Sequence, residues 1–169
     1  MEMKSRIPTR SDGAMGARVT LLGHPLHAIL TDFPLCSFTL AVIWNIVALA
    51  AGGQPWYAIT FWTLLAGVVL AVPTALFGLL DYLKVLQQQH PGGRTATFHL
   101  FANGTAVILF LLSLVLRGGP QPLGTAARVS TFILAAAGLA VLAVGGYLGG
   151  KLVYDYRIGV NPFDENDCV

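Results

Sequence analysis

The chain has 169 residues, of which 55% are hydrophobic and only 11% charged, and its mean hydropathy is +0.69. A soluble domain carries about 25% charged residues, so the composition excludes one and indicates a polytopic membrane protein of a single compact domain. The formal charge of +2 says little by itself; where the charges fall says more.

Residues 1–21 form a polar arm that holds Lys4, Arg6, Arg10, Asp12 and Arg18. No apolar core precedes residue 20, so no cleavable signal peptide is expected. A spanning helix needs about 20 mostly apolar residues, and four runs qualify: about 27–51, 56–86, 95–116 and 127–154. The linkers GGQP (52–55), QQQHPGG (87–93) and RGGPQPLGT (117–125) punctuate them with Gly and Pro. Pro73 is expected to kink the second helix, and its end around DYLKVLQQQ projects beyond the bilayer. The domain is read as 22–160, followed by a polar tail, 161–169. Cys36 and Cys168 give neither a metal-ligand spacing nor a disulfide framework.

Loops this short make consecutive helices antiparallel neighbours. The expected fold is an all-α, up-down-up-down four-helix transmembrane bundle with both termini on one side. That side holds eight of the ten Lys and Arg residues (Lys4, Arg6, Arg10, Arg18, Lys84, Arg94, Lys151, Arg157), and Arg117 and Arg128 lie on the other. The positive-inside rule then puts both termini in the cytoplasm of a bacterial inner membrane. Topology accounts for the basic residues, so nucleic-acid binding has no support.

The most unusual stretch is HPLHAILTDFP, 24–34. Imidazoles and a carboxylate are costly in hydrocarbon, so they usually face a protein interior, a water cavity or a ligand. Two local conformations are open. Asp32 caps a helix that begins at Phe33–Pro34, which leaves 25–31 as a short separate helix or turn, or the helix runs through and kinks at Pro34. The topology brings His24, His27 and Asp32 to the same half as Asp81 and Tyr82, His99 and Asn103, and Lys151, Tyr154 and Asp155. On the second helix, Gly67, Ala71, Thr74, Ala75, Gly78 and Asp81 form one small-residue face. Gly138, Gly145, Gly146, Gly149 and Gly150 do the same on the fourth; such faces serve close helix packing first.

Three readings compete. In the first, His27 and His99 start parallel helices at matched depth and ligate one b-type haem from both sides. Asn103 then lies beside His99, Gly146 and Gly149 leave room for the macrocycle, and Lys151, Arg94 or Arg157 meets the propionates. In the second, His24, His27, His99, Asp32 and Asp81 supply N and O ligands for a Zn or Fe ion or a proton site. In the third, the chain is an accessory subunit of a larger membrane complex and the polar cluster joins helices. No nucleophile–base pair, phosphate loop or dinucleotide motif occurs, and no independent catalytic activity is read from the sequence.

GHPLHAILTDFP (23–34), GLLDYL (78–83), His99 and Asn103 in FHLFANG, Arg117 closing the third helix and GGYLGGKLVYDYRIGV (145–160) resemble a bacterial family of four-span membrane proteins, domain of unknown function 2231. Members often carry HPxHPxLVHFP. Here Ala28 stands where a second proline is common and Asp32 where a histidine is common, which removes any ligand role for a histidine at 32. The family's domain is sometimes fused to Rieske or cytochrome domains, so the resemblance implies an electron-transfer setting. Implied partners are the bilayer, other membrane subunits or a redox protein, and an oligomer is open.

Overall fold

A computed structural model of the chain describes residues 14–160; most of the polar arm and the tail 161–169, with Cys168, lie outside the described residues. Four helices follow one another: α1 Leu26–Ala51, α2 Gln54–Gln87, α3 Gly93–Arg117 and α4 Thr125–Tyr154. Each contains the corresponding apolar run, and each is long and apolar enough to cross a membrane. A two-stranded hairpin, β1 Thr20–Leu21 and β2 His24–Pro25, precedes them. Its turn residues Leu22 and Gly23 have φ of 51° and 81°, the left-handed pair that a two-residue hairpin turn requires.

The helices neighbour one another in cyclic order, so α1 and α3 face each other across the bundle diagonal. The outer surface is apolar: Phe101, Leu76, Ile133, Ile108 and Val72 are all more than half exposed. Such a surface requires a lipid bilayer around it. Since lipid is as apolar as leucine, close packing and interhelical hydrogen bonds hold the helices together there.

The two hairpins are versions of one another. His27, Phe38 and Asn45 of α1 recur 72 residues on as His99, Phe110 and Arg117 of α3. Tyr57, Thr60, Gly67, Thr74 and Gly78 of α2 recur 71 residues on as Arg128, Thr131, Gly138, Gly145 and Gly149 of α4. The contacts repeat with the residues. Phe38 packs on Gly67, where a Cβ would stand 2.7 Å from its ring, and Phe110 packs on Gly138, where a Cβ would stand 3.1 Å away. The two phenylalanines, 1% and 0% exposed, stack on each other with centroids 4.0 Å apart and planes 1° apart. Equivalent helices run the same way, so the halves are related by a rotation about the bundle's long axis, as in membrane proteins built from parallel repeats.

Of the two conformations open for 24–34, the continuous helix is the one found. α1 runs through Pro34, which is buried, and Asp32 is an exposed interior residue, not a cap. Proline has no N–H, so the Leu30 carbonyl loses its helical donor. The Thr74 hydroxyl lies 3.2 Å from that carbonyl and 2.9 Å from the Leu70 carbonyl, so the neighbouring helix restores the missing bond. In the other half, Ala106 replaces Pro34 and Gly145 replaces Thr74. The proline and the hydroxyl that answers it are present or absent together.

The end carrying both termini is closed by residues 14–19. Met15 is 5% exposed and packs with Val85, Ala96 and Leu152. Its N–H donates to the Arg157 carbonyl at 3.1 Å and its carbonyl accepts from Gly159 N–H at 2.7 Å. The last residues of the polar arm are thus a strap across the bundle.

Candidate functional site

His27 is the second residue of α1, three turns from Phe38. Its Nδ1 lies 3.0 Å from the Thr74 carbonyl. A carbonyl oxygen only accepts, so Nδ1 carries the proton and a neutral ring keeps its lone pair on Nε2. The ring rests on Gly78, where a Cβ would stand 2.7 Å from Cε1. Glycine at 78 is therefore needed to seat the imidazole.

His99 repeats this on α3 and α4. Nδ1 donates to the Gly145 carbonyl at 2.9 Å, and a Cβ at Gly149 would stand 3.0 Å from Cε1. Asn103, one turn on, donates from Nδ2 to the His99 carbonyl at 2.8 Å. That amide nitrogen is also 3.2 Å from Nδ1 and 3.3 Å from Nε2 of the ring. Gly145 admits the Asn103 amide, since a Cβ there would stand 2.6 Å from Oδ1. Thr31 occupies the equivalent place beside His27 and likewise donates to the carbonyl one turn back, at 2.8 Å.

The remaining sequence-selected residues go elsewhere. His24 stands on the exposed hairpin, its Nδ1 3.0 Å from the Leu22 carbonyl. Asp32 is exposed on α1. Asp81 accepts from the Arg18 N–H at 2.6 Å, and Lys84 donates to the Gly16 carbonyl at 2.6 Å, so the end of α2 anchors the strap. Lys151 pairs with Asp155 at 3.8 Å across one turn, and Gly146 is open, with nothing within 4 Å of a Cβ placed there. Among the described residues no three His, Cys, Asp or Glu side chains are placed to share a metal ion. What remains is one histidine in each hairpin at equivalent positions, His27 on Gly78 and His99 on Gly149 with Asn103 against Gly145.

The family model of the predicted membrane proteins DUF2231 matches residues 23–162. The chain belongs to this family. No curated protein and no solved structure matches the chain. The DUF2231 match starts at the hairpin turn and ends just past Gly159, so it takes in both repeats and both histidines.

Sequence inspection passed over Asn45 and Tyr57 and took Arg128 only as a charge at a helix end. The signal that picks them out is the recurrence of H-x10-F-x6-N as H-x10-F-x6-R, and of Y-x2-T-x6-G as R-x2-T-x6-G. Each pattern is short, and the shared spacing carries the weight.

Proposed function

We infer that this DUF2231 protein is an integral-membrane electron-transfer subunit whose His27 and His99 hold one b-type haem. The observation that carries the reading is the matched state of the two rings. They occupy equivalent positions of a two-fold repeat on diagonal helices, and each spends Nδ1–H on a main-chain carbonyl of the adjoining helix. A haem iron would be held through an Nε2 lone pair of each imidazole, and a carbonyl acceptor at Nδ1 fixes both tautomer and ring direction. Gly78 and Gly149 hold the rings in place, so little side-chain entropy remains to be lost on ligation. At His99 a ligand displaces only the 3.3 Å approach of the Asn103 amide to Nε2, and Asn103 keeps its 2.8 Å bond to the main chain. A haem so held supplies reversible one-electron storage. The Lys and Arg asymmetry supports a topology with both termini in the cytoplasm of a bacterial inner membrane; the two histidines would then lie in the cytoplasmic half, within reach of a soluble or membrane redox partner.

A second reading has its own observation. Each histidine bonds within its own hairpin, His27 to α2 and His99 to α4. That is how a polar side chain joins two helices without any ligand, and it suits a structural subunit of a larger complex.

Haem retention in single variants separates the two. His27→Ala and His99→Ala, each purified from membranes, should insert normally and each lose the haem. A haem-free wild type whose variants lose only thermal stability supports the structural reading, and full haem in both variants contradicts the assignment of these ligands.

A further inference from the structure

The loop end of the bundle fills the repeat asymmetrically. Asn45 and Arg117 are equivalent positions, as are Tyr57 and Arg128. The first half supplies an amide and a phenol, and the second supplies two guanidinium groups. One residue from each helix meets there. Arg117 Nη2 donates to Asn45 Oδ1 at 3.1 Å, Arg128 lies over the Tyr57 ring at 5.6 Å from its centroid, and the Trp44 and Trp56 rings, stacked with centroids 5.8 Å apart, set the chain neighbours of Asn45 and Tyr57 side by side.

Arg117 is 3% exposed. Its Nε and Nη1, and Nε of Arg128, are buried with no hydrogen-bond partner among the described residues. No carboxylate answers them: the acidic residues described are Asp32, Asp81 and Asp155, all in the opposite half. Burying a charge without a counter-charge or a full set of hydrogen bonds is costly. As the last residue of α3, Arg117 gains something from the helix dipole and from the carbonyls at that end, but a dipole end is only a partial charge. The donors left over suit the oxygens of a phosphate, which guanidinium groups bind by charge-assisted hydrogen bonds.

We propose that Asn45, Tyr57, Arg117 and Arg128 form an anion site at the loop end that takes a phosphate group. Arg117 is the buried cation, held in place by Asn45. Arg128, half-buried and lying over the Tyr57 ring, is the second cation. The site lies at the end of a 25-residue span, at headgroup depth, where the phosphate is either that of a lipid or a free ion.

The test follows thermal unfolding of the full chain in a neutral detergent, in two arms. Inorganic phosphate is titrated against chloride at constant ionic strength, and phosphatidylglycerol is compared with a diacylglycerol of the same chains. The midpoint should rise with phosphate, with phosphatidylglycerol, or with both, and the arm that responds identifies the source. Asn45→Asp gives Arg117 a carboxylate of its own and should abolish the response. Arg128→Gln should weaken binding by about tenfold or more, the share expected of one guanidinium–phosphate contact. No rise in either arm, or the same rise in Asn45→Asp as in the wild type, overturns the proposal. Should Asn45→Asp not fold, an unchanged response in Arg128→Gln overturns it.

Discussion

At the scale of single residues, the glycines of α2 and α4 divide by what a methyl group would strike. At Gly78 it would stand 2.7 Å from the His27 ring and at Gly149 3.0 Å from the His99 ring, whereas at Gly146 it meets nothing. Gly78→Ala and Gly149→Ala should each lower stability by about 1–3 kcal/mol, the usual cost of overpacking, and should displace the imidazole. Gly146→Ala should change it by less than about 0.5 kcal/mol, as for surface sites. Thermal unfolding of the three variants in one detergent checks the ranking; equal losses at all three contradict it. Thr74 gives a sharper case. Thr74→Val removes the hydroxyl that reaches the Leu30 carbonyl and should cost about 1 kcal/mol. In a Pro34→Ala background the cost should shrink, because an alanine there restores the N–H. A double-mutant cycle measures that coupling, and a coupling of zero refutes the pairing of proline with hydroxyl.

At the scale of elements, the four spans were legible because a 20-residue apolar run bounded by Gly and Pro has few other structures open to it. Whether helix one is whole was not legible. Asp32–Phe33–Pro34 reads equally as a helix start, and what decides the matter is Thr74, 40 residues away in another helix. The strap was missed for a related reason. Residues 14–19 look like the end of a polar arm, and only Met15 among them has an apolar side chain long enough to reach the cleft between α2, α3 and α4. Met15→Asp should undock the strap and leave the spans intact. Hydrogen exchange at Met15 and Gly159, whose amides are tied across this contact, should then rise while exchange in the helix centres stays slow. Unchanged exchange at Gly159 would show that Met15 does not hold the strap.

At the scale of the whole molecule, the repeat explains why the candidate site was half visible. His27 and His99 stood out as imidazoles at matched depth. The wider set with His24, Asp32 and Asp81 rested only on a shared half of the bundle, and the fold sends those three to the hairpin, the outer surface and the strap. Asn45, Tyr57, Arg117 and Arg128 were not legible as one cluster: the spaced repeat pairs Asn45 with Arg117 and Tyr57 with Arg128 as equivalents, but no one-dimensional motif says that residues of four helices meet. The distribution of Lys and Arg between the two ends predicts the topology. Reporter fusions at the C-terminus should be active only as cytoplasmic reporters, and insertions in the 118–124 loop only as external ones; the reverse pattern would invert the molecule.

The haem assignment is tested most directly by an oxidised-minus-dithionite-reduced visible spectrum of the detergent-purified protein, with metal analysis on the same sample. The account predicts a sharp α-band and a Soret shift, with one iron per chain. A flat spectrum with no stoichiometric iron, from membranes that contain haem before extraction and lose none during it, would contradict the account and leave His27 and His99 as joints between helices.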